Sequence, residues 1–103
     1  MATIPPKHYQ ALRERHPGFM EAAEALGKTL KNEGPLDEKT AQLIQLAAAA
    51  SIRSEGSVHS HARRALEAGA TASEIYHTLI LITGTIGFPG AAAALSWAKD
   101  VIE

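Results

Sequence analysis

The chain has no cysteine among its 103 residues. That absence removes disulfide cross-links, thiol catalysis and thiolate metal sites together. Aromatic residues are few, two Phe, two Tyr and one Trp, and Tyr76 and Trp97 read as core or interface residues rather than a ligand cage. Neither sign of charge dominates. Ten Lys and Arg against eleven Asp and Glu give a net charge of −1 and a pI near 6.5, and the basic residues are interspersed with acids. Nucleic-acid binding needs a basic patch or stripe, so that class of partner is not expected. The longest apolar run, around Leu79–Ile82, falls far short of the roughly 20 residues that span a bilayer. The N-terminal stretch Met-Ala-Thr-Ile-Pro-Pro-Lys has no apolar signal region. These features lead us to expect a cytoplasmic protein with no membrane partner.

What is present is a single domain's worth of helix-forming sequence, taken as one domain over 1–103. A chain this short buries a modest fraction of its surface, so association with further copies is expected to supplement it. Pro5-Pro6 suits a helix start, and a first helix is expected over His8–His16, ending near Pro17-Gly18. Phe19, Met20, Ala23, Leu26 and Leu30 recur at three- and four-residue steps, an amphipathic helix, which Asn32-Glu33-Gly34-Pro35 breaks. Asp37 is an N-cap candidate for a helix over about 38–53, with Leu43, Leu46, Ala47 and Ala50 as its apolar stripe. Gly56 interrupts, and a helix from about Ser57 to Ala68 closes at Gly69, a favoured C′ residue. Thr71-Ala-Ser-Glu74 is a capping box opening Ile75–Ile86. The β-branched content of that segment would also suit a strand, but the explicit cap and the length favour a helix. It is apolar nearly all round, which suits a central position or a subunit contact. Gly87-Phe88-Pro89-Gly90 ends it, and Ala91–Ile102 forms a last helix. The fold class is all-α with about six helices.

The polar centre of the chain is Arg53-Ser54-Glu55-Gly56-Ser57-Val58-His59-Ser60-His61. Ser57 and His61 stand four apart, so on one helix they share a face and are within reach of a hydrogen bond. His61 suits general acid–base chemistry, since imidazole titrates near pH 6.5; the structural alternative is a histidine bonded to a neighbouring helix. At a helix start the macrodipole favours its neutral form. A serine hydrolase would need a nucleophile elbow and an acid to orient the histidine, and neither is evident. Ser54 or Ser57 also suits a helix cap. His59 and His61, two apart, point to nearly opposite sides and cannot share a metal on one helix; His77 would have to join one of them from the next helix. No metal or cofactor is therefore expected. His8 and His16 read as surface residues.

A histidine followed by Ala65-Leu66-Glu67-Ala68-Gly69-Ala70, then Glu74, then Gly87-Phe88-Pro89 and an alanine-rich helix, resembles the carboxymuconolactone decarboxylase and AhpD-like family. The match covers roughly residues 36–98. The resemblance implies an AhpD-like helical fold and a homo-oligomer, commonly a trimer or hexamer. The AhpD-like branch of the family resembles a thiol peroxidase, using Cys-x-x-Cys-x-x-x-His with an upstream glutamate as proton relay. On this sequence the cysteine positions fall on Ser54 and Ser57, the histidine on His61 and the glutamate on Gln42. Peroxide reduction by that motif cycles sulfur between thiolate, sulfenic acid and disulfide, which serine oxygen cannot do. Glutamine cannot pass a proton as a carboxyl does. Thiol-peroxidase chemistry is excluded.

The decarboxylase branch lacks the cysteines while keeping the histidine, and it is the better match. The resemblance thus implies a non-redox protein acting on or binding a small organic acid or lactone. His61 would be its proton shuttle, with Ser54, Ser57 and Gln42 as hydrogen-bonding groups. The rival is a non-catalytic oligomeric binding or scaffold protein that has lost its relatives' chemistry. Solvent access to His61 separates the two readings. Gln42 and Ser54, twelve residues apart, lie about 18 Å apart along a straight helix, so their convergence requires a helix crossing or a neighbouring subunit.

Overall fold

The computed structural model describes residues 6–103. Pro5, half of the expected Pro5-Pro6 start, lies outside the described residues, as does nearly all of the N-terminal stretch read for a signal region. Among the described residues there are seven helical segments and no strand: α1 (Lys7–Arg15), α2 (Pro17–Lys31), α3 (Glu38–Ser51), α4 (Glu55–Glu67), α5 (Ala72–Leu81), α6 (Thr83–Ile86) and α7 (Phe88–Ile102). Only Ile82, itself in the right-handed helical region, parts α5 from α6. Counted together they make the six helices expected.

The chain divides into two compact units between Pro35 and Leu36, within the Asn32–Pro35 helix break and the loop that follows it. In the first unit α1 and α2 pack together. Arg13 pairs with Glu24 at 2.9 Å, and its guanidinium lies 5.2 Å from the Tyr9 ring centroid. Pro17, expected near the end of the first helix, opens α2 at its first position, where a proline loses no needed N–H.

The second unit holds the core. Its buried cluster comprises Leu46, Ala49 and Ala50 of α3, Val58, Ala62 and Ala65 of α4, Ile75 and Leu79 of α5, and Ala94 and Ala98 of α7, with Ala70 between α4 and α5. α3 packs most extensively on α4, and α4 in turn on α7. α4 therefore lies against both, with alanines filling its contacts. The buried stripe of α3 is Gln42, Leu46, Ala49 and Ala50. Leu43 and Ala47, expected on that stripe, are only partly buried, because the helix is rotated toward the side that carries Gln42.

The helix ends show why the segments stop where they do. Asp37 accepts from the Thr40 backbone N–H at 2.8 Å, the expected cap of α3. The Thr71 hydroxyl accepts from Glu74 N–H at 3.0 Å, and the Glu74 carboxylate accepts from Thr71 N–H at 2.9 Å, which completes the capping box. α4 closes in a Schellman motif: Ala70 N–H reaches Ala65 C=O at 2.9 Å and Gly69 N–H reaches Leu66 C=O at 3.0 Å, with Gly69 at φ +98.

α3 ends in the same way at Ser51, short of the expected Arg53. Ser54 N–H donates to Ala49 C=O at 3.0 Å and Arg53 N–H to Ala50 C=O at 3.1 Å. The C′ residue here is Arg53, at φ +55, a conformation that costs a side chain bearing a Cβ about 1–2 kcal/mol. Gly87, at φ +90, precedes α7, which begins at Phe88 with Pro89 in its first turn. The Gly-Phe-Pro-Gly stretch thus starts the last helix rather than only separating it from its predecessor.

Candidate functional site

The site grows from the way α3 crosses α4. Gln42 occupies a buried-stripe position of α3 with no exposed surface, and it is the one buried polar residue of the described chain. An amide placed there must find partners, since an unmatched buried polar group costs a few kcal/mol. Gln42 finds two. Its Nε2 donates to Glu38 Oε1 at 2.9 Å, one turn earlier on α3. Its Oε1 lies 2.8 Å from His61 Nδ1, across on α4.

These two contacts determine the proton positions. A carboxylate only accepts, so it draws the NH₂ end of the Gln42 amide toward Glu38. The carbonyl end then faces His61, and Nδ1 must carry the proton it donates. The neutral ring therefore keeps its lone pair on Nε2. Glu38 is exposed, Gln42 buried and His61 partly buried, so this chain of hydrogen bonds runs from solvent through the α3–α4 contact to an imidazole that still meets solvent.

Ser57 sits one turn before His61 on α4, and Ser54 about two turns before it. Ser54 stands at the N-cap position of α4, but its side chain makes no capping bond; its Oγ donates to Ser57 Oγ at 2.8 Å instead. The expected capping role is not the one its hydroxyl plays. Ser57 and His61 share a face of α4, four residues apart. Because α4 starts at Glu55, two residues before the expected Ser57, His61 is its seventh residue. That is beyond the first turn in which a helix dipole acts, so the dipole argument for this histidine lapses.

Of the four residues singled out from the sequence, Gln42 joins His61 and Ser54 joins Ser57. The crossing of α3 on α4 within one chain brings Gln42 to His61, while Ser54 is bonded to Ser57. Glu38 was missed. The available signal was its place four residues before Gln42, on the same helix face. The two nearby histidines diverge as their spacing requires, His61 toward α3 and His59 toward α7, where its Nε2 lies 3.1 Å from Asp100 Oδ2. His77 is exposed. Elsewhere, an open groove of about 450 Å³ in the first unit, lined by Arg13, Pro17, Met20, Glu21, Glu24, Ala25 and Lys28, carries none of these residues. No described helix is long and apolar enough to cross a membrane.

As chemistry, the arrangement can hold one imidazole in a set tautomer and exchange a proton at its Nε2. It cannot relay that proton inward through Gln42, because an amide nitrogen has no accessible second protonation state at neutral pH. It also contains no redox-active side chain.

Comparison with known proteins places the chain. An uncharacterised protein of Methanocaldococcus jannaschii is 29% identical over 86 residues, which are 84% of this chain and 80% of that protein. Among solved structures, the apo form of a carboxymuconolactone decarboxylase family protein from Legionella pneumophila superposes with a TM-score of 0.78 at 26% identity, covering 93% of this chain and 88% of that one. The family model for carboxymuconolactone decarboxylases matches residues 17–100. The all-helical fold, the histidine on α4 and the match over most of the sequence agree: this chain belongs to the carboxymuconolactone decarboxylase family.

Proposed function

We propose that the protein is a non-redox member of its family, a lyase that acts on a small organic acid or lactone with His61 as proton shuttle. The observation that carries this reading is the Glu38–Gln42–His61 hydrogen-bond chain, which leaves the Nε2 of a partly exposed imidazole as the proton-exchanging atom. In decarboxylation the carbon–carboxylate bond breaks and carbon dioxide leaves. The electron pair remains beside a carbonyl as an enolate. His61, having first taken a proton from solvent at Nε2, gives that proton to the carbon and returns to its neutral form with Nδ1–H still bonded to Gln42. General acid help of this kind is worth about 10²–10⁴-fold. Ser57, one turn before His61 on α4, and Ser54 at the N-cap position of that helix are the hydroxyls that would bind substrate oxygen.

The same reading includes a homo-oligomer, trimer or hexamer. Large apolar side chains of the second unit stand open in the single chain, among them Ile52 at 76%, Leu81 at 68% and Phe88 at 73% exposure. Apolar surface of this kind favours association. The family match runs across the division at Pro35, which supports treating 1–103 as one family domain.

The test compares wild type with His61→Gln on a panel of small keto acids and lactone carboxylic acids, read by carbon dioxide release. Thermal melts and light scattering run beside it. Loss of turnover by at least about a hundredfold, with melting temperature and assembly retained, is the expected result. Turnover retained in His61→Gln would remove this histidine from the chemistry. Absence of turnover in wild type across the panel, or a lowered melting temperature with ligand binding unchanged, would leave the non-catalytic binding protein as the correct reading.

A further inference from the structure

On the opposite side of α4 from Gln42 a second polar group forms that the acid–base reading does not use. Glu55 and His59 stand four apart on α4, and Asp100 reaches them from α7. His59 Nε2 is 3.1 Å from Asp100 Oδ2 and 4.0 Å from Glu55 Oε2. The three donor atoms all lie within 4.8 Å of one another. We propose that Glu55, His59 and Asp100 form a binding site for a first-row divalent cation of the zinc type, bridging α4 and α7.

Geometry supports this before chemistry does. Nitrogen and oxygen ligands bind such ions at about 2.0–2.2 Å, so two donors on one ion lie roughly 3–3.5 Å apart. The histidine–aspartate pair already has that spacing. Glu55 needs to close by about 0.5–1 Å on the ring nitrogen and by up to about 2 Å on Asp100, and its carboxylate is 58% exposed and able to turn. The two helices that present the ligands are fixed by packing, with Val58 and Ala62 on α4 and Ala94 and Ala98 on α7 all fully buried. The anchor points are therefore held while the two carboxylates adjust.

The donor set selects the ion. One imidazole nitrogen with two carboxylate oxygens suits zinc, cobalt, nickel or manganese, whereas calcium and magnesium prefer oxygen alone. The two carboxylates balance the charge of a dication. With His59 26% exposed and Asp100 61% exposed, an ion there is reached from solvent and keeps water in its remaining positions. A simple histidine–aspartate ion pair would account for the 3.1 Å contact. It leaves Glu55 only as an acid compensating the dipole in the first turn of α4, whereas an ion uses both carboxylates together with the same ring nitrogen.

The test uses the full chain, stripped with a chelator and titrated with Zn²⁺ alone, then with Co²⁺ for its visible spectrum. One ion per chain should bind. Zn²⁺ at about a hundredfold excess over its Kd should raise the melting temperature by on the order of 10 °C, and chelator should reverse the rise. Glu55→Gln and Asp100→Asn change exposed side chains, so both variants should fold, and each should weaken binding at least tenfold. His61→Gln should leave it unchanged. Absence of saturable binding, a loss smaller than tenfold in either carboxylate variant, or loss of binding in His61→Gln would overturn the proposal and leave an ion pair only.

Discussion

Replacing Gln42 by Leu tests what the buried amide contributes. Leucine has nearly the same volume, so the change opens little cavity, and the side chain it replaces has no exposed surface. Two hydrogen bonds disappear. The one to the Glu38 carboxylate belongs to a class worth about 1.5–3 kcal/mol, and the one to His61 to a class worth about 0.5–1.5 kcal/mol. The first must be discounted, because Glu38 is exposed and water takes the place of the amide. The second is not so easily replaced, since the acceptor for His61 Nδ1–H lay inside the helix contact. Burial of the leucine side chain offsets part of the loss, at about 25 cal/mol per Å² of apolar surface. The net expectation is a destabilisation of about 1–2 kcal/mol, or a fall in melting temperature of roughly 5–15 °C for a domain of this size. Reversible thermal and urea unfolding, shown to be two-state by coincident probes, measures it. A Gln42→Leu protein as stable as wild type, or more stable, would refute the view that the amide is held by its two partners.

Arg53→Gly should stabilise the chain by about 0.5–1 kcal/mol despite removing a charged side chain, because glycine accepts the left-handed C′ conformation without strain; a denaturant midpoint checks it. Asp37 and Glu74 make stability pH-dependent. Asp37 is held below its ordinary value first by its side-chain hydrogen bond with Thr40, and Glu74 first by the Thr71 backbone N–H and then by Lys39. Both folded values lie below the unfolded ones, so their contribution is present above the unfolded carboxylate range and is lost as pH falls through the folded values. Melts from neutral to acid pH should show that loss, weaker in Glu74→Gln, and an unchanged profile in that variant would contradict it. Leu79 is fully buried and Ile80 is 55% exposed, so Leu79→Asp should prevent folding. Ile80→Asp should leave the helical signal and reduce the mass seen by light scattering from several times 10.9 kDa toward that of one chain. A monomeric wild type at micromolar concentration would contradict the assembly.

What the sequence made legible here was chiefly local. Asp37, the Thr71–Glu74 box and Gly69 each act within a few residues, and each stands where its residue type led one to expect. Pro17 and Pro89 were legible as punctuation, but the same proline that stops one helix is well placed to begin the next, so α2 and α7 start earlier than expected. Arg53 gave no warning, because nothing in an arginine's identity marks a left-handed C′ position, and α3 therefore seemed two residues longer. The contact between Gln42 and His61 spans 19 positions and depends on how α3 crosses α4, a tertiary fact to which helical periodicity is blind. The family resemblance pointed to the pair; the spacing did not. Glu38 stayed hidden because an exposed glutamate in a first helical turn is ordinary dipole compensation. Asp100 stayed hidden because 41 positions separate it from His59.

The hydrogen-bond chain from Glu38 through Gln42 assigns the proton of neutral His61 to Nδ1 and the lone pair to Nε2. Long-range proton–nitrogen NMR of the histidine rings reads that tautomer directly, at a pH about two units above the ordinary imidazole value near 6.5. The His61 signals are identified by their absence in His61→Gln. The account predicts the Nδ1–H form in wild type and a shift of the tautomer balance in Gln42→Leu. An Nε2–H ring in the wild-type protein would contradict it.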